Sequence, residues 1–374
     1  MSYCERLPAV SSPILHITNS HPRPVVDGGT HREEALAAFL SKRGASRLVV
    51  RDESFSRSKL GKLTRLPRLM KEIRQAAPEL IVLNYPSYPF FWQHKVTRYY
   101  WTALLFSRSL ARYAGNSGAK VVIDVMDLVR FQHADLGLSM EMSDSQSRRF
   151  DKIVFSGAHA LWVCSYTLAA LVQREYGLQT ESVKTVVNGS TVRNGRKSAR
   201  DGRPFRFVYC GGLAKERQTE AMVAAFIQAD LPHAELHLSG LDGEWIPAEF
   251  AQPNIIYHGS LSDADAAGLT SECDAGLIYY PQFGYYHMAF ATKLAHYVCC
   301  GVPILCTDVR ETGSAVRKMG VGVVADASDW PQAMRSMAAA DPPTAYHGAL
   351  LAAQQELTWE HLYTTALESG CHHE

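Results

Sequence analysis

The stretch from Tyr279 to Thr307 constrains the fold of this chain more than any other. An apolar run ends at Tyr279-Tyr280-Pro281, and an aromatic loop follows at Gly284-Tyr285-Tyr286. Then come Phe290-Ala291-Thr292-Lys293-Leu294-Ala295-His296-Tyr297 and Gly301-Val302-Pro303-Ile304-Leu305. Thr292 is suited to cap a helix running to about Cys300, Gly301 suits the position just past its end, and Pro303 stops it. Ile304-Leu305-Cys306 is wholly apolar, as a strand covered on both faces is. Strand, helix, strand at this spacing is a βαβ crossover. Its loop brings free backbone N–H groups and Lys293 to a helix N-terminus after a parallel strand, where open α/β sheets bind phosphates. An ordinary βαβ unit with a surface lysine would carry the same residues.

The same alternation runs through the chain. Strands are expected at Ile14–Thr18, Arg47–Val50, Leu80–Asn84, Lys120–Val125, Ala160–Cys164 and Val183–Val187. A second series follows at Phe205–Tyr209, Ala234–Ser239, Asn254–Tyr257, Ala275–Tyr279, Pro303–Thr307 and Val321–Ala325. The first series opens with a loop at Asp27-Gly28-Gly29-Thr30 and a helix from about Glu33 to Arg43; the second opens with Cys210-Gly211-Gly212. A glycine pair after a first strand lets backbone approach a ligand closely, or simply makes a tight turn. Ser190 to Pro204 is polar and reads as a linker. The expected division is an N-terminal domain over 1–189, a linker over 190–204, a C-terminal domain over 205–345 and a C-terminal helical segment over 346–374.

A length of 374 residues suits two domains, and the apolar (47%) and charged (20%) fractions are those of a soluble globular protein. The net charge of +1 conceals an asymmetry. Residues 1–185 hold 25 Lys and Arg against 16 Asp and Glu, and the remainder 13 against 21. Only the first half is therefore suited to an anionic surface. Within it, 57–74 carries Arg57, Lys59, Lys62, Arg65, Arg68, Lys71 and Arg74 against one acid, with leucines at helical spacing. That pattern fits an anionic membrane surface or a solvated helix face, and Pro67 is expected to interrupt it. The eight cysteines form no paired framework and read as buried thiols in a reducing compartment. No secretory leader and no run of about 20 apolar residues is read. The chain is expected in the cytoplasm, at most peripheral to the inner face of a membrane, with no nucleic-acid partner.

The run Lys293-Leu294-Ala295-His296-Tyr297-Val298-Cys299-Cys300-Gly301-Val302-Pro303 resembles the donor-binding segment of GT-B glycosyltransferases that use nucleotide-activated sugars. Lysine, tyrosine, glycine and proline match. Asp124 and Asp127 at one strand end, a later Asp151, Ser165 at the end of another strand, and Asn188 and Gly189 at the end of a third match further positions, so the resemblance spans nearly the whole chain. His296 stands where the family has glutamate, and Met288 where its retaining members have another, so inversion and retention both stay open. The resemblance implies an α/β chain of the GT-B fold, two Rossmann-like doubly wound domains facing across a cleft. It also implies transfer of a sugar from a nucleotide diphosphate donor to a glycan or lipid-linked acceptor. A nucleotide-sugar epimerase, or a catalytically silent nucleotide-binding protein of this fold, is the alternative.

Breaking an anomeric C–O bond leaves negative charge on a diphosphate, which fixed cations and helix N–H groups stabilise. The expected donor site comprises Gly211, Gly212, Lys215, Arg217, Tyr257, His258, Tyr285, Tyr286, Ala291, Thr292, Lys293 and His296. Tyr257 and His258 correspond to the segment beside the nucleobase, and His296 to the ribose contact. The acceptor side is expected to involve Gly28, Gly29, Tyr85 and Asp127. An inverting enzyme needs a base for the acceptor hydroxyl. Asp127 at a strand end is the first candidate, ahead of Glu141 and Asp124. No metal and no further cofactor is expected.

Overall fold

The computed structural model describes residues 13–19, 28–50, 59–90, 96–135, 142–192, 202–340 and 342–368. Each of the twelve apolar runs forms a strand. They are β1 (Ile14–Thr18), β2 (Ser46–Val49), β3 (Leu80–Tyr85), β4 (Lys120–Val125), β5 (Ala160–Val163), β6 (Val183–Thr185), β7 (Phe205–Cys210), β8 (Ala234–Ser239), β9 (Ile255–Tyr257), β10 (Ala275–Ile278), β11 (Ile304–Thr307) and β12 (Gly322–Ala325). They assemble into two six-stranded parallel sheets, ordered β2-β1-β3-β4-β5-β6 and β12-β11-β10-β7-β8-β9. Residues 1–186 with 363–374 form one compact unit and Val187–Leu362 the other. The C-terminal segment is thus shared: helix His347–Glu356 lies in the second unit, and the last helix, Trp359–Glu368, joins the first from Tyr363 on. Most of the linker expected over 190–204 lies outside the described residues. No described helix is long and apolar enough to cross a membrane.

Burial explains the strand sequences. β3, β5, β10 and β11 are buried at every position, because helices cover both faces, whereas the edge strands β9 and β12 are half-buried throughout. In the second sheet the chain leaves β7 toward β8 and β9, then returns to β10 on the other side of β7. The loops after β7 and β10 consequently diverge, which opens a crevice at their carboxyl ends.

The first unit holds two buried polar anchors. Arg32 grips Asp124 of β4 through Nη2–Oδ1 at 2.6 Å and Nε–Oδ2 at 2.9 Å, and its Nη1 donates to Val186 O at 2.8 Å. Its guanidinium carbon lies 5.9 Å from the Tyr363 ring centre. One ion pair therefore ties a helix, the sheet and the last helix together. The second anchor is Asp151, which accepts from Tyr85 Oη at 2.5 Å and Tyr176 Oη at 2.7 Å. Burial pushes its carboxyl up to about 6, against the opposing pull of both hydroxyls and Arg130.

Several expectations need correction. Tyr85 is 2% exposed and spends its hydroxyl on Asp151, so it is an interior residue and not an acceptor contact. Asp124 is likewise committed to Arg32 and is no base. Gly28 and Gly29 open the helix Gly28–Ser41 and do not form a separate turn. The helix starts about a turn earlier than read, which includes Arg32 where it meets Asp124; Asp27 and Glu141 lie outside the described residues. Helix Lys59–Ala76 continues through Pro67. The proline forgoes one hydrogen bond, while Leu69, Met70 and Ile73 are buried beyond it. Arg65 on this helix is 4% exposed, whereas Arg68, Lys71 and Arg74 are exposed and Arg68 pairs with Glu72 at 3.2 Å; Arg57 lies outside the described residues.

The Arg32–Asp124 pair generates a measurable expectation. Arg32→Leu alone leaves a buried carboxylate uncompensated and is expected to cost about 3–5 kcal/mol. Replacing both, Arg32→Leu with Asp124→Leu, is expected to recover most of that loss. Urea denaturation of the three proteins is the measurement.

Candidate functional site

The site is built on the crevice between β7 and β10. β7 ends in Gly211-Gly212, where a side chain is excluded. A Cβ at Gly211 (φ +152°) would lie 2.4 Å from Lys293 Cε and 2.7 Å from Nζ. A Cβ at Gly212 would lie 3.4 Å from Arg217 Nε. Two cationic side chains thus cross a bare glycine turn. β8 approaches the same turn through Gly240, whose Cβ would fall 1.8 Å from Gly211 O, and Gly211 N–H donates to Ser239 O at 2.8 Å.

Lys293 reaches this position from the first turn of helix Thr292–Cys299. One turn later, Tyr297 fixes that helix to both strands of the crevice. Its hydroxyl accepts from Cys210 N–H at 3.1 Å and donates to Leu277 O at 3.2 Å. Gly276 leaves room for the Tyr297 ring, since a Cβ there would lie 2.4 Å from it. The preceding loop is fastened too. Tyr280 N–H donates to Thr307 Oγ1 at 2.8 Å, Asn188 Nδ2 to Phe290 O at 2.7 Å, and Ala291 N–H to Thr312 Oγ1 at 3.0 Å. Tyr285 and Tyr286 are buried beneath it, with the Tyr286 ring 5.3 Å from that of Tyr280.

The helix start differs from the sequence reading. Ala291 is the N-cap, Thr292 is the first helical residue, and no side chain caps the helix. The Ala291 N–H is taken, so the N–H groups without an acceptor among the described residues are those of Thr292 and Lys293. An uncapped N-terminus presents partial positive charge.

The electrostatics are one-sided. Lys293 Nζ lies 4.8 Å from the Tyr209 ring centre and 5.6 Å from that of Tyr280. Neither Lys293 nor Arg217 has a carboxylate partner among the described residues. Desolvation holds the half-buried Lys293 below its ordinary pKa; Tyr280 opposes this shift and Arg217 adds to it. The Cys210 thiol is pushed up to about 11, chiefly by burial, and stays neutral.

The other expected residues divide. Lys215 stands apart: its ammonium bonds Glu249 at 2.5 Å and Glu220 at 3.0 Å beside the Trp245 ring. Tyr257 donates its hydroxyl to Gly240 O at 2.9 Å, which places it next to the glycine turns. His258 stacks on His237, Nε2 to Nδ1 at 3.0 Å, in a polar line continued by Glu235 and Arg206. His296 sets Nε2 3.0 Å from Thr270 Oγ1, whose hydrogen is directed to Ala266 O at 2.7 Å, so the imidazole is the donor. Asp127 lies in the other unit, two residues past β4 and half-buried.

Sequence reasoning missed Tyr209 and Tyr280 as the walls around Lys293, Thr312 as the acceptor that occupies Ala291, and Gly240 as the partner of Gly211. Ser239-Gly240 repeats the strand–glycine signal of Cys210-Gly211 and could have been found. The contacts of Thr312 and Asn188 bridge distant parts of the sequence and leave no local trace.

No protein-family model matches the chain, and no curated relative matches it. Solved structures do. The lipopolysaccharide outer core galactosyltransferase WaaB, in its apo form, aligns at a TM-score of 0.63 with 14% identity over 96% of this chain and 100% of that one. WaaG, a glycosyltransferase involved in lipopolysaccharide biosynthesis, aligns at 0.60 with 12% identity over 96% and 99%. Anabaena HepE in complex with UDP aligns at 0.64 with 14% identity over 96% and 99%. With its two six-stranded parallel sheets and their end-to-end alignment on these proteins, the chain has the GT-B fold.

Proposed function

We propose that this protein transfers a sugar from a nucleoside diphosphate donor to a glycan or lipid-linked acceptor. The observation that carries the reading is the pair of cations, Lys293 and Arg217, with no carboxylate partner among the described residues, over the bare Gly211-Gly212 turn at the switch point of the second sheet. A half-buried ammonium without a counter-ion costs free energy unless an anion completes it. The pyrophosphate of a nucleotide sugar supplies that anion, and HepE, of the same fold, binds UDP and glucose, which makes a uridine nucleotide the first donor to test.

In this reading Lys293, Arg217 and the N–H groups of Thr292 and Lys293 hold the diphosphate. As the anomeric C–O bond breaks, its electron pair passes to the β-phosphate oxygen, where these groups stabilise the growing charge. The acceptor hydroxyl oxygen forms the new bond. Its proton goes to Asp127 if the enzyme inverts. Tyr257 and the Gly240 turn line the nucleoside end. The basic first half of the sequence is suited to holding the enzyme at an anionic membrane where a lipid-linked acceptor resides.

Lys293→Ala removes one charge-assisted contact, worth roughly 1.5–3 kcal/mol, or about 10- to 150-fold in affinity. UDP affinity by calorimetry and transfer from UDP-sugars are expected to fall together, with circular dichroism unchanged. If the enzyme inverts, Asp127→Asn is expected to abolish transfer while UDP still binds. A folded Lys293→Ala protein that binds and transfers like the parent would refute the role given to Lys293.

The depressed Lys293 pKa adds a second test. Diphosphate binding restores the charged form, so binding is expected to take up protons, increasingly as pH rises toward the ordinary lysine range. Calorimetry in buffers of different ionisation enthalpy measures the uptake. Lys293→Arg, which keeps its proton throughout, is expected to remove it.

A further inference from the structure

One face of the second sheet carries a line of hydrogen bonds that ends beside the glycine turns. Arg206 of β7 and Glu235 of β8 are register partners, and Arg206 Nε donates to Glu235 Oε2 at 3.0 Å. The same carboxylate oxygen lies 3.1 Å from His237 Nε2, and His237 Nδ1 lies 3.0 Å from His258 Nε2. The two imidazole planes are within 12° of each other, as an N–H···N bond in the ring plane requires. His237 is buried, whereas His258, the first residue past β9, is exposed.

Burial raises the Glu235 carboxyl, but the bonds from His237 and Arg206 outweigh it and hold the group below the ordinary carboxylate range. Burial lowers both imidazoles. An ionised carboxylate thus faces two neutral rings, and each bond has one possible direction. A carboxylate only accepts, so His237 carries its proton on Nε2. Its Nδ1 is then a bare acceptor, and His258 Nε2–H donates to it. His258 is left with the lone pair of its own Nδ1, which has no partner among the described residues. Glu235 therefore sets the tautomer of a ring it does not touch. His258 stands two strands from β7, about 10 Å from the Gly211 turn by strand spacing. A ribose and a pyrimidine ring together span a similar distance. The segment is also held in place, since Gly259 O accepts from Gly240 N–H at 2.9 Å and from Ser239 Oγ at 3.1 Å. The adjoining N–H groups of Gly259 and Ser260 have no acceptor among the described residues.

We propose that His258 Nδ1, held as an acceptor by Glu235 through His237, takes the ring N–H of an imide base, so that the donor is a uridine or thymidine diphosphate sugar in preference to a cytidine one. Uracil and thymine offer N3–H between two carbonyl oxygens, which suits one acceptor beside free backbone N–H groups. Cytosine presents a lone pair at N3 and meets Nδ1 with like polarity, which leaves both atoms unpaired. The N1–H of guanine has an amino donor on one side, which the backbone N–H groups disfavour, and adenine has no ring N–H on its pairing edge. His258 is the specificity-determining contact, and Glu235 and His237 are positioning residues. The inference rests on the diphosphate site of Lys293 and Arg217 and adds which nucleoside completes it.

The test is calorimetric titration of the full chain with UDP, dTDP, CDP and GDP. UDP and dTDP are both expected to bind, the tighter of the two naming the nucleoside, and CDP to bind about tenfold or more weakly than that one. His258→Phe removes the acceptor and keeps a ring; UDP affinity is expected to fall to that of CDP, with CDP little changed. Glu235→Gln, whose amide offers His237 a donor in place of an acceptor, is expected to narrow the UDP-to-CDP ratio while circular dichroism stays the same. A merely structural role for either residue would lower both affinities together and keep the ratio, which would overturn the proposal. Nitrogen NMR of the histidines without nucleotide, with His258 assigned by its loss in His258→Phe, is expected to show its proton on Nε2; a proton on Nδ1 would overturn the relay. GDP binding ahead of UDP, or equal UDP and CDP affinities that still fall in Lys293→Ala, would overturn the base assignment and leave the diphosphate site standing. Binding of none of the four would overturn both.

Discussion

A positive charge withdrawn from water, with no carboxylate partner among the described residues, is the constraint around which the second unit is arranged. Lys293 can lie where it does only because Gly211 and Gly212 have no side chains and Gly240 lets the next strand end close over the first. Tyr209 and Tyr280 offer the ammonium the negative faces of their rings, which is weaker than a carboxylate and leaves the charge available. Tyr297 then binds the lysine's helix to β7 and β10 together, so the charge stays at the mouth of the crevice. Asn188, Thr307 and Thr312 hold the loop before it by backbone contacts. Each of these bonds restricts how far Lys293 can move, which is the preorganisation an anion site needs.

The first unit uses its charges differently. Two of its strand-end and helix carboxylates, Asp124 and Asp151, look reactive in sequence, but each is satisfied internally. Asp124 neutralises a fully buried arginine, and Asp151 takes two tyrosine hydroxyls. A carboxylate so occupied contributes to folding. Asp127 lies half-buried past the end of β4.

The sequence by itself determined the elements and their class. The strands were legible as short apolar runs, continuous where both faces are buried, as in β3, β5, β10 and β11. Ser165 with Gly177 and Thr292 to Gly301 marked helix limits to within a residue, because capping is local chemistry. Lys293 and the Gly211-Gly212 turn were legible for the same reason. What only the tertiary structure decided is which polar groups are already used. That Tyr85 and Asp124 are consumed inside, that Lys215 bonds Glu249, and that Ala291 N–H is occupied all depend on partners 21 to 92 residues away along the chain. Local pattern reports what a side chain can do. Whether it remains able to do it is set by which distant group the fold brings within about 3 Å, and hydrogen bonds and ion pairs of that kind leave no periodicity in the sequence.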